Sequence, residues 1–179
     1  MKYLEAEEVL NEFLDDPSLI RHCKSVSIVM RAYANKLGED EEEWAIAGLL
    51  HDADYEKYPE DHPKLIVDLL EKKNEMKIAH AISAHYTKWG KSYDTALDKY
   101  LLAVDELTGF IIAASLMRPT RLEGMKPKSV KKKLKTKGFA AGVDRDEIYK
   151  SLEIAELDLD VHIAFIISVL QNHGEELGL

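Results

Sequence analysis

Apolar residues recur along most of the chain at spacings of three and four positions, the period of an α-helix with one buried face. Runs that alternate apolar and polar residues and are rich in β-branched side chains, which would predict strands, are few. No internal repeat, low-complexity linker or second domain boundary interrupts the pattern. We therefore expect an all-α helical bundle that forms a single domain over residues 1–179.

Proline, glycine and aspartate mark where the predicted helices begin and end. A first helix over residues 4–14 stops before Pro17, which opens a second helix that ends at Gly38. Asp40 caps a third helix, which carries His51 on its apolar stripe. The pattern predicts a loop over 53–61, further helices over 62–72, 75–86, 94–117, 144–154 and 159–173, and a short Lys-rich helix before the last two.

Length and composition narrow the class of protein. A chain of 179 residues with 46% hydrophobic residues can bury a sizeable core without cross-links, and a single cysteine excludes an internal disulfide. No apolar run reaches the ~18 residues of a membrane-spanning helix, and no early segment has the pattern of a signal peptide. We therefore expect a cytoplasmic protein without a membrane partner, and the oligomeric state stays open.

The net charge of −9 conceals a strongly basic segment. Residues 118–137 carry a charge of +8, so the rest of the chain carries −17. An acidic surface repels the nucleic-acid backbone, and aromatic residues that could stack on bases are almost absent from the segment, so we expect no nucleic-acid partner. The segment is either a solvated basic helix or a place where Lys132 or Lys133 contacts the phosphate of a small substrate.

Three predicted helices direct side chains typical of metal ligands toward the core. At 100° per residue, His22 shares a face with Leu19 and Val26, and His51 lies on the apolar stripe of its own helix. Asp105 lies inside the apolar run YLLAVDELTGFII, where a carboxylate without a partner would be costly to bury. Each histidine alone could be a core residue with one hydrogen bond. The coincidence of three predicts a metal site, because such sites in helical bundles use inward side chains of facing helices.

Further candidate ligands lie near this set. Asp52 follows His51 directly, so one short segment supplies an imidazole and a carboxylate. His62 stands where the loop after this pair ends and can return to the same site, although a solvated histidine at a helix start is the alternative. His85 shares a helical face with apolar residues, whereas His80 lies nearly opposite and is predicted to be a rim or surface residue.

The order His22, His51-Asp52, Asp105 resembles the H…HD…D signature of the HD-domain superfamily of metal-dependent phosphohydrolases. The resemblance spans roughly residues 17–117, which leaves the basic segment and the last helices, 118–179, outside it. It implies an all-helical domain of the HD type in which these four residues hold a primary metal ion.

The segments HPKLIVDLL from His62 and AISAHYT around His85 resemble the two extra histidine segments of HD branches that bind two metals. The resemblance implies a second metal ion held by His62 and His85, with Asp52 bridging the two ions. The cyclic-dinucleotide phosphodiesterases among these branches carry a GYP motif and follow HD with glycine and lysine. In this chain the sequence at the corresponding position is HDADYEKYP and the GYP motif is absent, which argues against cyclic-dinucleotide hydrolysis.

The predicted cofactor is one or two divalent ions, and Mn, Fe, Mg, Zn, Co and Ni all suit mixed nitrogen and oxygen ligands. Such an ion activates water and polarises a phosphoryl oxygen. We therefore predict a phosphohydrolase in which metal-bound hydroxide attacks the phosphorus of a small phosphorylated metabolite, in our interpretation a nucleotide. The alternative is a non-catalytic regulatory HD domain that binds metal and nucleotide.

The roles of individual residues follow from this prediction. Asp52 is a predicted catalytic residue, and Asp54 or Glu56 is predicted to activate water, since some HD branches use an acid shortly after the HD pair. The predicted contacts to the substrate phosphate are Lys57, Arg118, Arg121 and Lys132. For each of these acids and bases, a solvated surface side chain is the alternative.

Overall fold

The computed structural model describes residues 1–179 and confirms an all-α protein, with ten α-helices, one short 3₁₀ turn and no strand. The chain divides into two compact units, residues 1–102 and 103–179, with the boundary inside the sixth α-helix. A single domain over the whole chain stays a prediction. None of the helices combines the length and apolar character that crossing a bilayer requires.

The first unit contains five helices and the start of a sixth. They are α1 (Tyr3–Phe13), α2 (Pro17–Leu37), α3 (Glu41–Leu50), α4 (Lys64–Lys72), α5 (Met76–His85), a 3₁₀ turn (Thr87–Trp89) and α6 (Ala96–Leu116), which continues into the second unit.

The predicted ends of the long second helix are confirmed. The side chain of Asp16 accepts a hydrogen bond from the backbone N–H of Ser18, and Pro17 occupies the first helical position. Gly38 ends the helix with a φ of 75°, a left-handed conformation that glycine adopts at no steric cost. Asp40 then caps α3, as predicted, by accepting from two backbone N–H groups of its first turn.

Helix α3 lies at the centre of the first unit, where it contacts α1, α2 and α5. All of its residues from Trp44 to Leu50 are buried, as is typical of a helix covered on every side. It approaches α2 closely at Gly48, where a Cβ atom would lie only 2.8 Å from Cα of Ser27. Helices α4 and α5 pack against each other through apolar faces and complete this unit.

The second unit contains the rest of α6 and four further helices. They are α7 (Pro127–Leu134), α8 (Arg145–Ala155), α9 (Leu159–Asn172) and α10 (Gly174–Leu177). Helix α7 is the predicted Lys-rich helix, and it packs against α9 with Val130 and Leu134 buried. His162 of α9 is buried and its Nε2 lies 3.0 Å from the carbonyl oxygen of Ala103, so it is a core histidine.

Candidate metal centre

Four imidazoles surround the carboxylate of Asp52 in the first unit. His22 comes from α2, His51 follows the last residue of α3, His62 precedes α4, and His85 ends α5. The Nε2 atoms of His22 and His51 lie 3.7 and 3.4 Å from one carboxylate oxygen, Oδ2. Those of His62 and His85 lie 3.4 and 3.6 Å from the other oxygen, Oδ1. Asp52 is therefore shared by two pairs of histidines, one pair for each oxygen.

Backbone carbonyls at the ends of α3 and α5 orient two of these rings. Nδ1 of His51 lies 2.9 Å from the carbonyl oxygen of Gly48, and Nδ1 of His85 lies 2.5 Å from that of Ile82. A carbonyl oxygen only accepts hydrogen bonds, so each Nδ1 must carry the hydrogen. In the neutral rings the lone pair is then on Nε2, the atom that faces Asp52.

A buried carboxylate orients the third ring. Oδ1 of Asp54 lies 2.7 Å from Nδ1 of His62, and Oδ2 of Asp54 accepts from the backbone N–H of Ile66 at 3.1 Å. Asp54 is fully buried, so both of its oxygens are committed to protein donors. Carboxylate–histidine pairs of this kind are typical of metal-binding histidines, because they fix the ring and increase its basicity. Asp54 therefore orients His62, and its predicted role in activating water stays a prediction.

The electrostatics of the cluster favour an ionised Asp52. Burial alone would raise the pKa of this carboxyl, but in their protonated form the neighbouring rings hold the pKa of Asp52 well below its usual range, through the charge and hydrogen bond of His51, the hydrogen bond of His85 and the charge of His22. The Nε2 atoms of His22 and His51 are only 3.2 Å apart. Two lone pairs at that distance repel each other unless a proton or a cation lies beside them. The donor set thus fits a cation.

The candidate ligands form two groups. One contains His22, His51, Asp52 and Asp105, and the other contains Asp52, His62 and His85; within each group the ligand atoms lie within 4.8 Å of one another. All six predicted metal ligands therefore belong to the two groups. Mixed imidazole and carboxylate ligands in threes and fours suit divalent transition metals.

Glu56 and Lys57, two predicted functional residues of the loop after the HD pair, brace the connection between α1 and α2. Oε2 of Glu56 accepts from the backbone N–H groups of Asp15 and Asp16 at 2.8 and 3.0 Å. Nζ of Lys57 lies 3.0 Å from the carboxylate of Asp15 and 3.0 Å from the carbonyl oxygen of Glu12. Neither side chain belongs to the two groups of candidate ligands, and the roles that we predicted for Glu56 and Lys57 stay predictions.

The predicted arginines stabilise the turn that follows α6. The guanidinium of Arg118 donates to the carbonyl oxygens of Arg121 and Glu123, and that of Arg121 donates to the carbonyl oxygen of Leu116 at the end of the helix. These bonds give both side chains a structural role in the turn, and their predicted phosphate contact stays a prediction. Lys132 is exposed on α7, and its predicted phosphate contact also stays a prediction.

His80, a predicted rim or surface residue, is half-buried and belongs to neither group of candidate ligands. Its Nδ1 lies 3.3 Å from a carboxylate oxygen of Asp98, and its Nε2 lies 3.6 Å from one of Asp94. These contacts join α5 to the first turn of α6, which contains Asp98, and to Asp94 just before it. The preference for His85 over His80 as a candidate ligand agrees with the geometry.

Two tyrosines that the sequence pattern did not single out contact the cluster. The rings of Tyr55 and Tyr86 have their centroids 5.3 and 5.2 Å from the centroid of His62, each at nearly a right angle to it. A usable signal was present, because Tyr86 directly follows His85 and Tyr55 directly follows Asp54. A side chain next to a candidate ligand in the sequence often lies at the rim of the same site.

Comparison with known proteins supports the assignment that the geometry suggests. Residues 19–134, well over half of the chain, match the family model of the HD domain. Neither the search of curated proteins nor that of solved structures returned a match. The matched range contains every member of both ligand groups, and HD domains bind divalent metals. The chain therefore belongs to the HD-domain family.

Proposed function

We propose that this protein hydrolyses a phosphate ester of a small metabolite with one or two divalent metal ions held by the histidine cluster. The observation that carries the proposal is the convergence of four Nε2 atoms on Asp52, with three of the rings oriented through Nδ1. Family membership supports it, since HD domains are typical of metal-dependent phosphohydrolases. A divalent ion bound there would lower the pKa of a coordinated water and polarise a phosphoryl oxygen.

The protein side chains supply a rigid and partly open site. Asp52 contributes negative charge to both ligand groups, and Asp54 keeps the Nε2 of His62 turned toward it. The side chains of His22 and Asp52 are 18 and 19% exposed, whereas those of His51, His62 and His85 are at most 5% exposed. A phosphate group would therefore approach from the side of His22 and Asp52.

A second candidate function is a non-catalytic domain that binds a metal ion and a phosphorylated ligand. One observation favours it: the two acids that the sequence offered for activating water, Asp54 and Glu56, are both engaged in hydrogen bonds to other parts of the protein. If no other base takes the proton from the attacking water, binding would occur without turnover.

The test combines metal analysis of the purified protein with a screen for phosphate release from mononucleotides, dinucleotides, alarmones and sugar phosphates. We expect Asp52→Asn to lose both bound metal and phosphate release while its helical circular dichroism is unchanged. Asp61→Asn, which alters an exposed acid in the same loop, is the matched control and should behave like the natural protein. Full turnover in Asp52→Asn would contradict the proposal. Metal binding without release from any substrate would favour the second candidate.

A further inference from the structure

An aromatic surface lies beside the histidine cluster and is not needed to build it. It consists of Tyr55, Tyr86 and Trp89, with Lys88 beside them, and we call it the aromatic rim. We propose that the aromatic rim holds the base of a nucleoside phosphate whose phosphate lies at Asp52. This inference rests on the proposed function, and it assigns the substrate class of the same site.

The rim reaches outward from the cluster in two steps. The ring centroid of Tyr86 lies 5.2 Å from that of His62, and the ring centroid of Trp89 lies 6.2 Å from that of Tyr86. Residues 87–89 form a 3₁₀ turn that ends at Gly90, where φ is 60°. Positions three apart are eclipsed in such a turn, which explains why the rings of Tyr86 and Trp89 meet on one side, where they lie nearly perpendicular to each other. The two steps give the rim a length comparable to a nucleoside.

The exposure of the rim indicates a binding role. Trp89 is 37% exposed and Tyr55 is 49% exposed, whereas Trp44, the other tryptophan of the chain, is 1% exposed in the core. The rings of Tyr55 and Tyr86 both contact His62, so the aromatic rim adjoins the candidate metal centre. An aromatic area joined to a polar centre offers a ligand an apolar wall and a charged end.

Charge and chemistry together select the ligand class. Nζ of Lys88 lies 5.3 Å from the ring centroid of Tyr86, which places a cation at the edge of the rim. A nucleoside phosphate combines the two features that this surface matches, namely a planar π system for the rings and an anionic group for the metal centre. Every base has a π face, so stacking alone should discriminate little among the four bases. It should discriminate strongly against a sugar phosphate that lacks a base.

Fluorescence offers a test that does not require turnover. The two tryptophans differ in exposure, so a ligand that stacks on the rim should change the emission of Trp89 and leave that of Trp44 unchanged. With excitation at the red edge of the tryptophan band, where nucleotides do not absorb, we expect quenching by adenosine 5′-monophosphate and none by ribose 5-phosphate. The quenching should disappear in Trp89→Phe, which retains only Trp44.

Steady-state kinetics with the same two compounds supplies the second readout. We expect Trp89→Ala to raise KM for adenosine 5′-monophosphate about tenfold, within the range measured for loss of one stacking contact, and to leave KM for ribose 5-phosphate unchanged. Trp89→Phe should restore KM, because it keeps a ring. Tyr58→Ala removes an exposed ring that contacts Phe13, and it should alter neither value.

The outcomes separate this inference from the proposed function. Phosphate release from both compounds, with equal KM values that Trp89→Ala does not change, would overturn the inference and leave the phosphohydrolase intact. Absence of phosphate release from either compound would remove support from the proposed function. In that case the quenching comparison would still decide whether the rim binds a base.

Discussion

The contact between Asp54 and His62 predicts a specific failure when one oxygen is replaced. The carboxylate of Asp54 accepts from two donors, Nδ1 of His62 at 2.7 Å and the backbone N–H of Ile66 at 3.1 Å. In Asp54→Asn only one acceptor remains beside an NH₂ group, although the shape is preserved. The amide can therefore serve one of the two donors and must oppose the other.

Both orientations of the new amide have a calculable cost. If its oxygen faces His62, the buried N–H of Ile66 meets another donor and loses its partner, which costs about 1–3 kcal/mol of stability. If its oxygen faces Ile66, the NH₂ group forces Nδ1 of His62 to accept. The ring hydrogen then moves to Nε2, the atom that faces Asp52, and metal affinity should fall about 10- to 100-fold.

The assay is a pair of measurements on Asp54→Asn, namely urea unfolding of the metal-free protein and calorimetric titration with Mn²⁺ or Zn²⁺. A lower unfolding midpoint with normal affinity identifies the first orientation, and a normal midpoint with weak binding identifies the second. Asp61→Asn, an exposed acid of the same loop, is the control. A variant that matches the natural protein in both stability and affinity would refute the reasoning.

Three further predictions concern packing, metal and pH. Gly48→Ala should lower the free energy of unfolding by about 1–2 kcal/mol, because the new methyl group would meet the Ser27 backbone at 2.8–2.9 Å. This overpacking outweighs the gain in helix propensity from alanine. An unchanged urea midpoint would count against the close approach of the two helices. Removing metal with a chelator should lower the melting temperature. The stabilisation lost is about 2.7 kcal/mol for a protein that was kept at a free metal concentration a hundredfold above Kd. Identical melting curves with and without chelator would be inconsistent with a resident ion. Metal affinity should fall on acidification, because metal binding releases protons from ligand side chains. The pKa of Asp52 lies well below its usual range, so this carboxylate stays charged, and equal affinity at about pH 5.5 and 7.5 would count against histidine ligands.

The helices and their faces could be read from the sequence because the signals are local. Pro17, Gly38 and Asp40 mark helix ends through their own backbone preferences, and the structure places the ends within two residues of the prediction. The inward direction of His22 and His51 follows from helical periodicity alone. Helical periodicity can be applied without knowing which element a helix packs against. For this reason the sequence alone identified these two histidines as candidate ligands.

The roles of the loop residues could not be read in this way. Asp54 and Glu56 are two positions apart, yet one is buried against His62 and the other reaches back to the backbone of Asp15. Nothing local distinguishes two acids in a polar loop, since the difference depends on which segments the turn brings close. The same applies to Lys57 and the arginines after α6, whose partners are mostly backbone carbonyls. Every residue has a backbone carbonyl, so the sequence does not show which one will accept the hydrogen bond.

The position of Asp52 between the two ligand groups has a consequence for the stepwise binding of metal ions. Each group draws on this carboxylate, and the group of His62 and His85 has no other acid. If both groups hold an ion, the first ion bound would neutralise charge on Asp52 that the second also needs, so the two binding steps should have unequal affinities. At scarce supply the population would then be mostly singly loaded, and the ambient concentration of the ion would tune how much of the protein carries a pair.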